Sequence, residues 1–353
     1  MSDTAYLGIE VDSGGLKKGG RDLDTFAAKG EKTGSRVEKS ATVMTTAFKA
    51  VAASVVITVA AIASMGVMIP TIAAFETSVS KMGAVSRATT SELKAMRGVA
   101  LDLGSTTEFS ATQAADGLTF LSMAGFSASE SMSALPAVLD LATASGMGLA
   151  EAADTASNIM SGFGVAAEHS ADVADLLAAA SSRANTDVSQ LGEAMKFVGP
   201  VASALNVSMS DTAAAIGVLS DAGIQGGMAG TSLRQILSGL INPTGAAKTA
   251  IKDLGLTLEQ VSPKSNDLVD IIARFAEAGV EASDALTILG DRGGPALLAL
   301  TSQSNSLRVL TGELDAVDDA SKDMAATMRD NLGGDLKGAA SAAQGLVIAL
   351  GDA

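Results

Sequence analysis

Residues 173–237 read VADLLAAASSRANTDVSQLGEAMKFVGPVASALNVSMSDTAAAIGVLSDAGIQGGMAGTSLRQIL, and their spacing decides the fold class. Val173, Leu176 and Ala180 fall on one helical face, and Leu191, Met195, Val198, Ala202 and Leu205 form a second stripe, interrupted by Pro200. Apolar residues three and four apart mark amphipathic helices, and Leu or Met stripes at this spacing are core rather than cofactor boxes. The same grammar extends upstream, where Ala114, Leu118 and Leu121 share a face, and downstream, where Leu268, Ile271, Ile272 and Phe275 do so. Ser110-x-x-Gln113 and Ser127-x-x-Glu130 have capping-box form, in which the hydroxyl holds backbone N–H groups and the longer side chain reaches back. Gly125 falls where the first of these helices should stop, and Gly-rich punctuation recurs at GFG (162–164), AGIQGGMAG (222–230), LGL (254–256) and GDRGG (290–294). The expected fold is all-α, an elongated set of helical hairpins or a bundle.

Composition agrees and excludes much chemistry. Aromatic residues make up 3% of the 353, with no Trp, so the core must be built from Ala, Val, Leu, Ile and 15 Met. Cys is absent, which removes disulfides, thiolate nucleophiles and Cys-based metal sites. His169 is the one imidazole, beside Glu168 and Asp172, and reads as an exposed helix residue. The formal charge is −15, and residues 1–49 carry eight Lys or Arg against seven acids, so the acidity belongs to the rest of the chain. An acidic surface repels phosphates, which argues against specific nucleic-acid binding.

The N-terminal region differs. Tyr6 to Asp12 alternates Leu7, Ile9 and Val11 against Gly8 and Glu10, as one short strand would. A polar arm follows to residue 49. Residues 50–75 are uncharged and predict a long apolar helix; as a helix, the stretch 50–69 before Pro70 is about 30 Å long, the thickness of a bilayer core. Two readings are open for it: membrane insertion, or burial in a homo-oligomeric bundle or against the rest of the chain, which Ala60 and Ser64 four apart suit equally.

Ser110-Ala-Thr-Gln-Ala-Ala-Asp-Gly-Leu118 is echoed by Ser210-Asp-Thr-Ala-Ala-Ala-Ile-Gly-Val218, and Ala-Gly follows each at 124–125 and 222–223. Duplication of a helical hairpin and a repeated solution to the same capping problem both account for this. Neither G-x-x-x-x-G-K-[ST] nor G-x-G-x-x-G occurs. Ser78-x-x-Lys81, Ser91-x-x-Lys94 and Lys32-Thr33-Gly34 match pieces of a serine–lysine hydrolase pattern, but in the wrong order and without Ser-Asp-Asn. Asp315, Asp318 and Asp319 lack the spacing of a calcium loop and read as a solvated face. No catalytic, cofactor-binding or metal-binding residue is expected, and no cofactor.

The blocks LGSTTEFSATQAADGLTFLSMAGFS (103–127), 173–237 as quoted above and LGDRGGPALLAL (289–300) together resemble, in order, the core of phage tail tape measure proteins of the TP901 type. AGIxGxxAGTxLR is the specific part; Leu289 stands where relatives often carry Phe. The resemblance implies a structural protein of a phage, prophage or tail-like bacteriocin. Several copies would lie in the tail-tube lumen, set tail length, and later help the genome through the host envelope. It implies tail-tube protein, tail assembly chaperones and tail tip or baseplate proteins as partners, self-association, transient contact with the host membrane, and residence in the host cytoplasm before assembly. The expected divisions are a polar arm (1–49), a hydrophobic helix (50–75), the tape measure core (76–312) and the start of a further helical segment (313–353). A single helix of 353 residues reaches about 530 Å, and the apolar ending AASAAQGLVIALGDA reads as the interrupted start of more helix, as in an N-terminal portion of a longer ruler. The rival reading is a membrane-active or pore-forming helical protein acting through residues 50–69.

Overall fold

The computed structural model describes residues 57–351, with side chains over 69–349. Among these residues there are fifteen α-helices and no strand, so the chain is all-α. The elements are α1 (Ile57–Ser86), α2 (Thr90–Thr106), α3 (Ala111–Met123), α4 (Ala128–Ser145) and α5 (Leu149–Phe163). A single 3-10 turn, Ala167–His169, leads to α6 (Ser170–Arg183), α7 (Val188–Ala204), α8 (Met209–Asp221), α9 (Gly226–Ile241) and α10 (Gly245–Asp253). Then come α11 (Leu268–Glu277), α12 (Ala282–Ser302), α13 (Ser304–Asp315), α14 (Ala320–Arg329) and α15 (Leu332–Gly351). The strand expected at 6–12 and the polar arm lie outside the described residues.

The long apolar helix expected over 50–75 is not supported as a separate element. Residues 50–56 are outside the described part, and α1 does not stop at Pro70 but carries it internally and runs on into charged sequence at Glu76 and Lys81. Proline removes one backbone donor yet leaves the helix path open when the first turn beyond is otherwise paired. Among the described residues no single helix is long and apolar enough to cross a membrane. The pair α4 and α5 reaches that composition only when joined across a 118° bend, and both helices bury residues in the core.

The chain divides into two units, residues 1–75 with 344–353 and residues 76–343. In the first, the described parts are helical, belonging to α1 and α15. The second contains the remaining helices, whose starts are chemically fixed. Thr89, Ser110 and Ser127 cap α2, α3 and α4, each with a full capping box completed by Glu92, Gln113 and Glu130. Asp187, Ser208 and Thr244 cap α7, α8 and α10 through their side chains. Each such cap stabilises its helix by about 1 kcal/mol.

Packing follows the stripes. The most extensive pairing is α7 with α9; α2 lies on α3, α9 on α12, α5 on α7, and α4 on α6 and α14. Leu118, Leu121, Leu191, Met195 and Phe275 are almost wholly buried, as their spacing implied, and so is Leu233. Burial of each such side chain contributes about 2 kcal/mol. Much of the rest of the core is Ala, including Ala213, Ala214 and Ala215 in α8. Small side chains let helix axes approach closely, so contact replaces bulk. Pro200 does not interrupt α7, which continues through it. GDRGG does break the helical path, as its glycines implied: Gly290, at φ 69° and ψ −171°, is non-helical and separates the two helical stretches of α12.

Candidate functional site

The block that carried the sequence resemblance, 222–234, contributes the start of α9 to its crossing with α7, and three of its four glycines have a backbone role. Gly223 takes φ 84° just past the end of α8, where a residue with a Cβ would be strained. Gly226 has φ 54° at the first position of α9. Gly230 lies mid-helix, and a Cβ there would stand 2.1 Å from the carbonyl oxygen of Ala194 in α7. Backbone therefore meets backbone at this crossing. Leu233 closes the contact from α9, and Arg234 points to solvent. On the other side of α9, Gly239 sits against Leu289, and Gly293 of α12 sits between Leu289 and Gln235. The two most specific sequence blocks thus pack against each other through α9 and α12.

Polar groups inside the helical unit are used for fastening. The buried Asp175 carboxylate of α6 accepts from the backbone N–H of Ser321 at 2.8 Å and from its hydroxyl at 2.6 Å, tying down the start of α14. At the other end of α14, Arg329 pairs with Asp140 of α4 at 2.7 Å and with Glu108, which also accepts from Thr143. The Ser341 hydroxyl donates to the Glu108 carbonyl at 2.9 Å. Between these anchors α14 buries only Ser321 and Ala325, although it lies along α4 and α6. In α8, burial pushes the Asp211 carboxyl above the usual carboxylate range; the Ser208 hydroxyl works against this, while the charges of Asp315 and Asp267 add to it.

The residues singled out for enzyme-like patterns do not converge. Ser78 is buried in α1, whereas Lys81 is exposed with its ammonium 5.9 Å from the Phe120 ring centroid. Ser91 and Lys94 are exposed on α2, and Lys32-Thr33-Gly34 lies outside the described residues. His169 bonds Asp172 at 2.9 Å on the surface. Asp315, Asp318 and Asp319 are exposed, and Asp319 pairs with Lys322 at 3.1 Å. Among the described residues no three His, Asp or Glu side chains are placed to hold a metal ion. An open groove of about 520 Å³ runs past Ala276, Val280 and Leu298, and a polar hollow of about 160 Å³ is lined by Asn206, Asp211 and Asp267. The close crossing at Gly230 and the fastening of α14 were not foreseen. The glycine spacing in 222–230 signalled the first; nothing local signals the second, because its partners are 146 and 189 residues apart.

These features define a helical protein whose specific residues build packing contacts and internal fasteners. The chain belongs to the phage-related minor tail protein family, whose family model matches residues 97–336. It is similar to the tape measure protein of Pneumococcus phage Dp-1, with 38% identity over 265 residues, covering 73% of this chain and 23% of the relative. It is also similar to the probable tape measure protein of Escherichia phage P2, with 30% identity over 261 residues, covering 71% of this chain and 32% of that one. The chain thus spans about a quarter to a third of the length of these curated relatives. No solved structure matches it.

Proposed function

We propose that this chain is part of the ruler of a phage or phage-like tail, acting through length and surface. The observation that carries this is the likeness to two tape measure proteins over more than 70% of the chain. The all-α architecture supports it, because helical segments convert residue number into length at about 1.5 Å per residue. Tail-tube subunits polymerise around the ruler, assembly chaperones hold it beforehand in the host cytoplasm, and tip or baseplate proteins anchor one end. Copies of the chain lie together in the lumen, and the acidic body limits adhesion to the DNA behind them. The host membrane is met only as the ruler leaves the tube. The membrane-active alternative through residues 50–69 has no separate observation in its favour.

In-frame deletion or insertion in the complete gene is expected to shorten or lengthen tails in proportion to the residues changed, read by electron microscopy. Tails of unchanged length would remove the ruler role. The chain is read as non-catalytic, and a peptidoglycan zymogram is expected to show no clearing; a lytic band from these residues would overturn that.

A further inference from the structure

We infer that residues 76–343 contain tandem copies of one helical module with a period of 98 residues. The hairpin echo aligned Ser110 with Ser210, but the structure sets a different register: the residue that caps α8 is Ser208, the counterpart of the α3 cap Ser110. With that register the neighbouring elements fall into step. Thr89 caps α2 and Asp187 caps α7, again 98 apart, and both helices have 17 residues. Helices α3 and α8 have 13 residues each, and α4 and α9 open at Ala128 and Gly226.

The same offset extends to further local detail. Gly125 and Gly223 both take positive φ, at 100° and 84°, after α3 and α8. The N–H of the next residue then bonds six-to-one, Phe126 to the Leu121 carbonyl at 3.2 Å and Ile224 to the Leu219 carbonyl at 2.8 Å. The Ser122 hydroxyl donates to the Leu118 carbonyl and the Ser220 hydroxyl to the Ile216 carbonyl, each at 2.8 Å. Burial repeats as well: Leu135, Val138 and Leu139 of α4 correspond to Leu233, Ile236 and Leu237 of α9, all buried. So do Val79 and Met82 near the end of α1 and Leu177 and Ala180 of α6. Any one of these agreements is what two unrelated helices produce by using the same cap. The starts of three consecutive helices, the lengths of the first two and the loops and buried faces between them holding one offset need a common unit.

For a ruler, such a unit is a step of length, about 150 Å per copy if fully helical and extended; this consequence rests on the ruler reading, whereas the module itself does not. The test compares two deletions in the full chain. Removing residues 127–224 takes out one period and joins Phe126 to Gln225, so that α3 runs into α9 in register. Removing 127–207 joins Phe126 to Ser208 and places α8 directly after α3, out of register. The first variant is expected to keep cooperative thermal unfolding and helical circular dichroism scaled to its length, and the second to lose the cooperative transition. An in-register variant no better folded than the out-of-register one overturns the module. Introduced into the complete gene, a folded in-register variant with unchanged tail length leaves the module standing and removes the ruler reading.

Discussion

At the level of single residues, position rather than type decides what a substitution costs. Gly230 and Gly98 both lie inside helices, yet a Cβ at Gly230 meets the Ala194 backbone while one at Gly98 meets nothing within 4 Å. Gly230→Ala is expected to destabilise by about 3 kcal/mol, since backbone on both sides must move, and Gly98→Ala to stabilise by about 0.8 kcal/mol through helix propensity. Urea denaturation measures both. Asp211 gives a pH-dependent case. Its carboxyl is raised in the folded state, so the native chain holds the proton more tightly than the unfolded chain does. The group favours the fold below its ordinary pKa, and this contribution is lost as pH rises through the raised folded value. Asp211→Asn is therefore expected to raise Tm at pH 7, with a gain that shrinks toward pH 4. That dependence was not legible in the sequence, because it needs the burial of Asp211 in the folded unit, and the Asp315 charge that adds to it and the Thr311 hydrogen bond that opposes it come from about a hundred residues away.

Individual helices were the most legible level. Ser110, Gln113, Ser127 and Glu130 take up the capping boxes their spacing implied, because a capping box is closed by residues three apart and needs no tertiary help. Gly125 ends α3 in the left-handed conformation for the same local reason. What local pattern misread was proline: Pro200 reads as an interruption, yet it and Pro70 lie inside helices that continue through them, whereas Gly290 does break α12. Helix α14 shows the opposite limit, since its apolar pattern is weak and its place is set by Asp175, Asp140 and Glu108. Arg329→Met leaves two partly buried carboxylates without their cation and is expected to cost about 3 kcal/mol. Native-state hydrogen exchange would locate the loss, with amides of α14 gaining exchange while those of α9 keep their protection.

For the whole molecule, composition pointed to thin, closely packed helices, and the family match bears out the order of the sequence blocks. The candidate site was legible only as a glycine pattern: 222–234 could be quoted, but the approach of α9 to α7 requires two segments whose closest residues, Ala194 and Gly230, are far apart in the chain. The helical echo was visible too, though two residues out of register, because similarity of small side chains aligns loosely while caps align sharply. The fastening of α14 also has a mechanical side. Hydrogen bonds and ion pairs give way over a very small displacement, whereas interdigitated apolar contacts yield gradually. Traction on the C-terminal end of the 76–343 unit loads first the α15 segment, tied by Ser341 to Glu108, and then α14, tied by Arg329 to the same residue, before the inner helices. The expected order of release is the α15 tie, then α14, with the Gly230 crossing late. Force applied at one end is thus met first by fastenings that join residues far apart in the chain.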